Sequence, residues 1–191
     1  GARHHQGRPG EPPEGVIPMR IRLLGTGTPT PSLKRMSSGY LVETGERKIL
    51  FDFGPGAYHR MLEAGVKPVE ITDVFFTHLH YDHVGNLEKF PAADFVVQDD
   101  EMAFWTGRYA SKGHFRHIVE VEDIVHLVRE NFAGRLRFVA GTHEIVPGIT
   151  VHRVGGHAAG LHSLGGTDEL LELGWRLRGL GRALAAAATE H

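Results

Sequence analysis

The sequence predicts an α+β domain, and three observations predict it. Short β-favouring runs open the chain at Met19 to Leu24, Tyr40 to Glu43 and Lys48 to Phe53, split by turns containing Gly, Pro and Ser. Stretches with helical spacing then alternate with further short strands, a mixed order that neither a helix bundle nor a pure sandwich produces. With 191 residues, 41% apolar and 23% charged, the chain is long enough to bury one sizeable core.

The first three strands read as an antiparallel meander, with Thr44-Gly45-Glu46 as the hairpin turn. Ala57 to Ala64 has helical spacing and stops at Gly65, with Pro68 just beyond. Asp73 to Phe76 reads as a buried strand that runs into a histidine-rich segment. Asp94 to Gln98 is a further strand, Asp99 to Trp105 and Asp123 to Phe132 are helices, and Arg135 to Ala140 and Ile149 to Val154 return to strand. Asp123 stands in the first turn of its helix, where a carboxylate complements the dipole, and Gly134 lies just past the end.

The two ends differ from this middle. Residues 1–18 are rich in Gly, Pro, Arg and Glu and lack the apolar core of a secretion signal, so they read as a disordered extension with Met19 as the natural start. Residues 19–163 form the expected domain. Residues 164–191 are dominated by Leu, Gly and Ala, carry no strand signal, and read as an atypical, truncated or out-of-frame tail. Leucines between Asp168 and Ala188 fit a marginal amphipathic helix, which Gly174, Gly179 and Gly181 each weaken by about 1 kcal/mol.

Composition narrows the function classes. A formal charge of -2 offers no general attraction to polyanions, and only Arg129, Arg135 and Arg137 could form a local basic patch, so nucleic acid is disfavoured as a substrate and a small molecule is expected. The absence of cysteine removes disulfides and thiolate ligands, so any metal must be held by nitrogen and oxygen. No stretch of about twenty apolar residues is present, which predicts no membrane span and a cytoplasmic location.

The most informative segment is Thr77-His78-Leu79-His80-Tyr81-Asp82-His83, an H-x-H-x-D-H cluster. In extended backbone alternate side chains share a face, so His78 and His80 can converge on one ion while Leu79 points into the packing. If the chain turns between Tyr81 and Asn86, with Gly85 permitting a tight approach, Asp82 and His83 swing toward the same cavity and could hold a second ion. A catalytic zinc takes about three protein ligands and keeps a position open for water, whose pKa it lowers to around 7. A ligand from farther along is therefore needed. His157, which follows a strand and the pair Gly155-Gly156, is the best placed, with His162 and His152 as alternatives. His4, His5, His59, His114, His117, His126 and His143 read as ordinary histidines. Tyr81 and Trp105 could line a pocket, although core packing is the commoner use of such aromatics.

On these residues the chain resembles the metallo-β-lactamase superfamily, whose H-x-H-x-D-H signature is matched by His78, His80, Asp82 and His83. Gly156-His157-Ala158-Ala159-Gly160 resembles the family's later G-H motif, and Asp52-Phe53-Gly54 its strand-end aspartate turn. The resemblance implies a four-layer αββα sandwich with its C-terminal part incomplete. It also implies one or two zinc ions held by His78, His80, Asp82, His83 and His157, with Asp82 also catalytic, and hydrolysis by hydroxide generated at the metals. The opening Leu23-Leu24-Gly25-Thr26-Gly27-Thr28-Pro29 with Ser37-Ser38 resembles ribonuclease Z and related phosphodiesterases. The longer stretch from His83 through Phe104-Trp105-Thr106-Gly107 and Phe115-Arg116-His117 to His157 resembles N-acyl homoserine lactonases.

That second likeness makes hydrolysis of a lactone or ester, such as an N-acyl homoserine lactone, the expected activity, with a quorum-quenching role. The alternatives are a phosphodiesterase of the ribonuclease Z type and a catalytically impaired metal-binding domain. The last follows from a departure: the resemblance implies a bridging aspartate roughly twenty residues after His157 and a final histidine, yet Arg176, Leu177 and Arg178 stand there. Asp168 comes too early, and the histidines after His157 are His162 and His191.

Overall fold

A computed structural model of the chain describes residues 18–166, apart from 28, 29, 31, 33 and 114. The expected extension, the tail beyond 166, Asp168 and His191 lie outside the described residues, as do His114 and the Thr28-Pro29 end of the opening motif.

Among the described residues, nine strands and three α-helices follow in the order β1 (Met19–Gly25), β2 (Gly39–Thr44), β3 (Arg47–Phe53), α1 (Ala57–Glu63), β4 (Asp73–Phe75), β5 (Asp94–Gln98), α2 (Asp99–Trp105), α3 (Val121–Phe132), β6 (Leu136–Val139), β7 (Thr142–Val146), β8 (Ile149–Arg153) and β9 (His162–Gly166). Single turns of 3₁₀ helix occupy Pro68–Glu70 and Leu87–Lys89. Strands β1 to β6 form one sheet in sequence order, antiparallel through β3 and parallel from β3 to β6. Parallel neighbours need crossovers, and the helices α1 and α3 lie in two of them. Strands β7 to β9 form a second, antiparallel sheet.

Alternation along the strands explains the layering. Leu41, Leu50, Val74, Phe95, Val97 and Leu136 join Met61 of α1, Met102 and Trp105 of α2, and Ile124 and Leu127 of α3 in one apolar cluster. The residues between them, Val42, Ile49, Phe51, Phe75, Val96 and Val139, pack instead with Val146, Ile149 and Val151 of the second sheet. A sheet buried on both faces needs this double set of apolar side chains, and β3 supplies it in the run Ile49, Leu50, Phe51. Helices, first sheet and second sheet are thus three of the four expected layers; no helix among the described residues covers the outer face of the second sheet.

Three sequence readings need correction. Strand β7 was not expected, because Thr142, His143 and Glu144 are exposed and give no apolar alternation. Strand β9 carries extended pairing past residue 163 to Gly166, although Leu164-Gly165-Gly166 has no strand propensity; the β8 backbone supplies its partners. The tight approach assigned to Gly85 belongs to Gly54, where a Cβ would stand 1.8 Å from the Asp82 carbonyl oxygen; at Gly85 the nearest atom is 3.7 Å away.

Candidate metal centre

The centre is built on the end of β3. Asp52 takes left-handed backbone at φ 55° and buries its carboxylate. Its Oδ1 accepts the Thr77 N–H at 2.8 Å, and the Thr77 hydroxyl lies 2.9 Å from both carboxylate oxygens. The Ser38 hydroxyl donates to Oδ2 at 3.2 Å, and the His83 Nδ1 stands 2.6 Å from the same oxygen. One residue later the Phe53 N–H donates to the His83 carbonyl at 2.7 Å, while Gly54 leaves room for the Asp82 backbone. The turn carrying Asp82 and His83 is therefore fastened to β3 through both backbone and side chain.

After β4 the chain bends at Thr77 and continues without regular structure to His80, then turns, with the His83 N–H donating to the His80 carbonyl at 2.9 Å. Leu79 is buried in the helix-side core, which turns His78 and His80 the other way. Four imidazoles converge: the His78 ring lies 4.4 Å from His80, 4.0 Å from His83 and 5.1 Å from His157, and His80 lies 4.7 Å from His157. One ring nitrogen each from His78, His80 and His157 lies within 4.8 Å of the other two. His157 reaches this point from the loop after β8, where Gly155 and Gly156 have φ of 60° and 93°.

Proton accounting shows which atoms are free to bind. Asp52 accepts only, so the single Thr77 hydroxyl hydrogen goes to it, and Thr77 Oγ1 accepts from His78 Nδ1 at 3.0 Å. That leaves His78 Nε2 as an unprotonated lone pair, buried and without a hydrogen-bond partner. A buried orphan acceptor costs about 1–3 kcal/mol, which a cation at that position would offset. Burial, then the neighbouring His83 charge, depresses His78 to about 3, so it is neutral as a ligand must be. Burial and His157 also lower His80. Three imidazole nitrogens beside a carboxylate, with no thiolate, fit a divalent cation such as zinc.

The other side of the centre is anionic. Burial works against ionisation of Asp52, but the His83 charge and hydrogen bond outweigh it and hold the carboxyl below its ordinary value. Asp82, whose Oδ2 is 3.3 Å from His83 Nε2, is lowered in the same way against its own burial. Burial opposes charge on His83, yet the two carboxylates raise it to about 10.

The remaining candidates fall elsewhere. His152 pairs with Thr142 across the β7–β8 hairpin at 3.3 Å, and the side chain of His162 lies outside the described residues. His59 and His126 sit beside Glu63 and Glu130 on their own helices. Trp105 is buried with its ring edge-on to His80 at 5.9 Å, whereas Tyr81 is 39% exposed. Thr77 and Glu101 escaped the sequence reading, and Asp52 entered it only through a resemblance; Asp52 and Thr77 are polar residues in runs that are otherwise buried, whereas Glu101 follows the exposed Asp99 and Asp100 and gives no such signal.

Comparison with known proteins agrees with this architecture. Residues 33–165 match the Metallo-beta-lactamase superfamily, and the chain belongs to that family. Ribonuclease Z of Haloferax volcanii is 34% identical over 138 residues, 71% of this chain and 39% of the relative. Ribonuclease Z of an Exiguobacterium species is 42% identical over 72 residues, 38% of this chain and 24% of the relative. Among solved structures, a quorum-quenching N-acyl homoserine lactone lactonase has a TM-score of 0.53 at 25% identity, covering 66% of this chain and 53% of that one. AidC, a dizinc quorum-quenching lactonase, has a TM-score of 0.56 at 22% identity, covering 69% and 52%. The chain thus spans well under two thirds of the length of these relatives. No helix among the described residues is long and apolar enough to cross a membrane.

Proposed function

We propose that this chain carries the metal site of a zinc-dependent hydrolase that opens a lactone or ester, such as an N-acyl homoserine lactone. The observation that carries the reading is the convergence of His78, His80 and His157 around the orphaned His78 Nε2. These three would hold one ion, and Asp82 and His83 would contribute to a second. When bound, such an ion supplies Lewis-acid polarisation of the scissile carbonyl and acidifies solvent water.

The chain's own residues do the rest. Asp52 accepts the His83 Nδ1–H and so leaves Nε2, which faces the Asp82 carboxylate, as the nitrogen that would be offered to an ion once its proton is lost. Thr77 accepts the His78 Nδ1–H through its hydroxyl. Asp82, nearly buried and held ionised beside His83, is placed to take the proton of the attacking water at a carboxylate oxygen and to return it to the leaving alkoxide. Trp105, with Phe104 packed edge-on against it at 5.0 Å, gives the His80 side an aromatic wall suited to an apolar acyl group.

A second reading, a phosphodiesterase, is favoured by the ribonuclease Z match, which extends over 71% of this chain. Assay of the zinc-loaded protein against an N-acyl homoserine lactone and against a chromogenic phosphodiester separates the two. Faster lactone turnover supports the first reading and faster phosphodiester turnover the second. Bound zinc with neither turnover overturns both and leaves a metal-binding domain.

A further inference from the structure

Glu101 is fully buried on α2, at 0% exposure, and its carboxylate faces three N–H donors and, among the described residues, no ion-pair partner. Oε1 accepts from the Leu79 backbone at 3.0 Å and from the Trp105 indole at 2.9 Å. Oε2 accepts from the Gly160 backbone at 2.8 Å. Leu79 is the residue between His78 and His80, and Gly160 follows His157 by one short turn. One side chain therefore ties together two ligand-bearing loops that lie on different sheets and far apart in sequence.

The contact is shaped for this purpose. A Cβ on Gly160 would stand 2.7 Å from the Glu101 backbone nitrogen and 2.8 Å from the Glu101 Cβ, so only glycine lets the His157 loop lie flat on the start of α2. Three donors with no acceptor call for a carboxylate. An amide in its place would turn an NH₂ toward one of the N–H groups, and the single contact on Oε2 is the one most easily lost. His157 is exposed and hangs from a loop with two left-handed glycines, so without this tie its position is set weakly.

We propose that Glu101 is a positioning residue that holds His157 in register with His78 and His80, and so sets the affinity of the centre for its ion. This rests on the metal-site reading given above. The test is a zinc titration against a competing chelator, with thermal unfolding of the metal-free protein measured alongside. Glu101→Gln is expected to weaken zinc binding by about 10- to 100-fold. In a His157→Ala background the same change is expected to have almost no further effect, because the ligand it acts through is gone.

Gly160→Ala keeps the carboxylate but lifts the loop off it, and serves where Glu101→Gln does not fold; the same loss, again absent beside His157→Ala, supports the proposal. Wild-type zinc affinity in Glu101→Gln overturns it. So does a loss that persists undiminished in the His157→Ala background, which marks a merely structural role. Failure of the wild-type protein to bind zinc at all overturns the metal-site reading along with it, whereas a zinc-binding wild type with an unaffected Glu101→Gln overturns the role of Glu101 alone.

Discussion

The imidazole Nδ1 of His83 lies 2.6 Å from Oδ2 of Asp52, a residue 31 positions earlier at the end of β3. This pair is the hinge of the centre, because Asp52 also receives Thr77 and, through Thr77, fixes the proton on His78. Asp52→Asn keeps the shape and tolerates the left-handed backbone, but it removes the charge and one acceptor oxygen. Zinc affinity is expected to fall about 10- to 100-fold, as read by chelator competition. Unchanged affinity would show that the tautomers of His83 and His78 do not matter.

His80→Ala and His126→Ala separate the centre from the surface. The first removes a buried imidazole from the cluster and is expected to abolish most metal binding. The second removes a half-buried i,i+4 partner of the buried Glu130, which keeps its ion pair with Arg135, and is expected to leave the metal content normal. Elemental analysis of both variants after zinc loading checks this, and equal metal content would contradict the assignment.

Gly54→Ala is expected to cost about 3 kcal/mol or more, because its Cβ would overlap the Asp82 carbonyl at 1.8 Å. Gly134→Ala meets open space at φ 76° and is expected to cost only about 1–2 kcal/mol for the left-handed backbone. Denaturant unfolding measures both, and an equal cost would mean that the turn after His80 yields freely.

Asp123 sets an acid-range pH dependence away from the centre. Burial, then the Glu120 charge, raises its carboxyl from 3.8 to about 6. The folded state therefore holds the proton more tightly than the unfolded state, so stability is greatest below about pH 4 for this group and declines as pH rises to 6. Asp123→Asn should raise the melting temperature at pH 7 by about 3 °C, with the advantage shrinking below pH 6 and vanishing near pH 4. A gain that is independent of pH would refute the shift.

Much of the fold is legible because the helix-side elements obey simple periodicities. The meander, α1, α2 and α3 follow from apolar spacing and from stops such as Gly65 and Gly134, both left-handed here. β7 and β9 are not legible, since their extended backbone comes from pairing with β8 rather than from their own side chains. At the site, the spacing within the cluster makes His78, His80, Asp82 and His83 conspicuous, and the paired glycines point to His157. Thr77 and Glu101 act through hydrogen bonds to residues 22 to 59 positions away in Leu79, Asp52 and Gly160, and no local pattern records such contacts.

The central claim is that nitrogen atoms of His78, His80 and His157 hold a divalent cation. A zinc-edge X-ray absorption spectrum of the zinc-loaded protein, compared with the His78→Ala, His80→Ala, His157→Ala triple variant, tests it most directly. The account predicts imidazole nitrogens at about 2.0–2.1 Å in the wild type and no bound zinc in the triple variant. Zinc retained by the triple variant with the same spectrum, or a wild-type spectrum without imidazole neighbours, would contradict it.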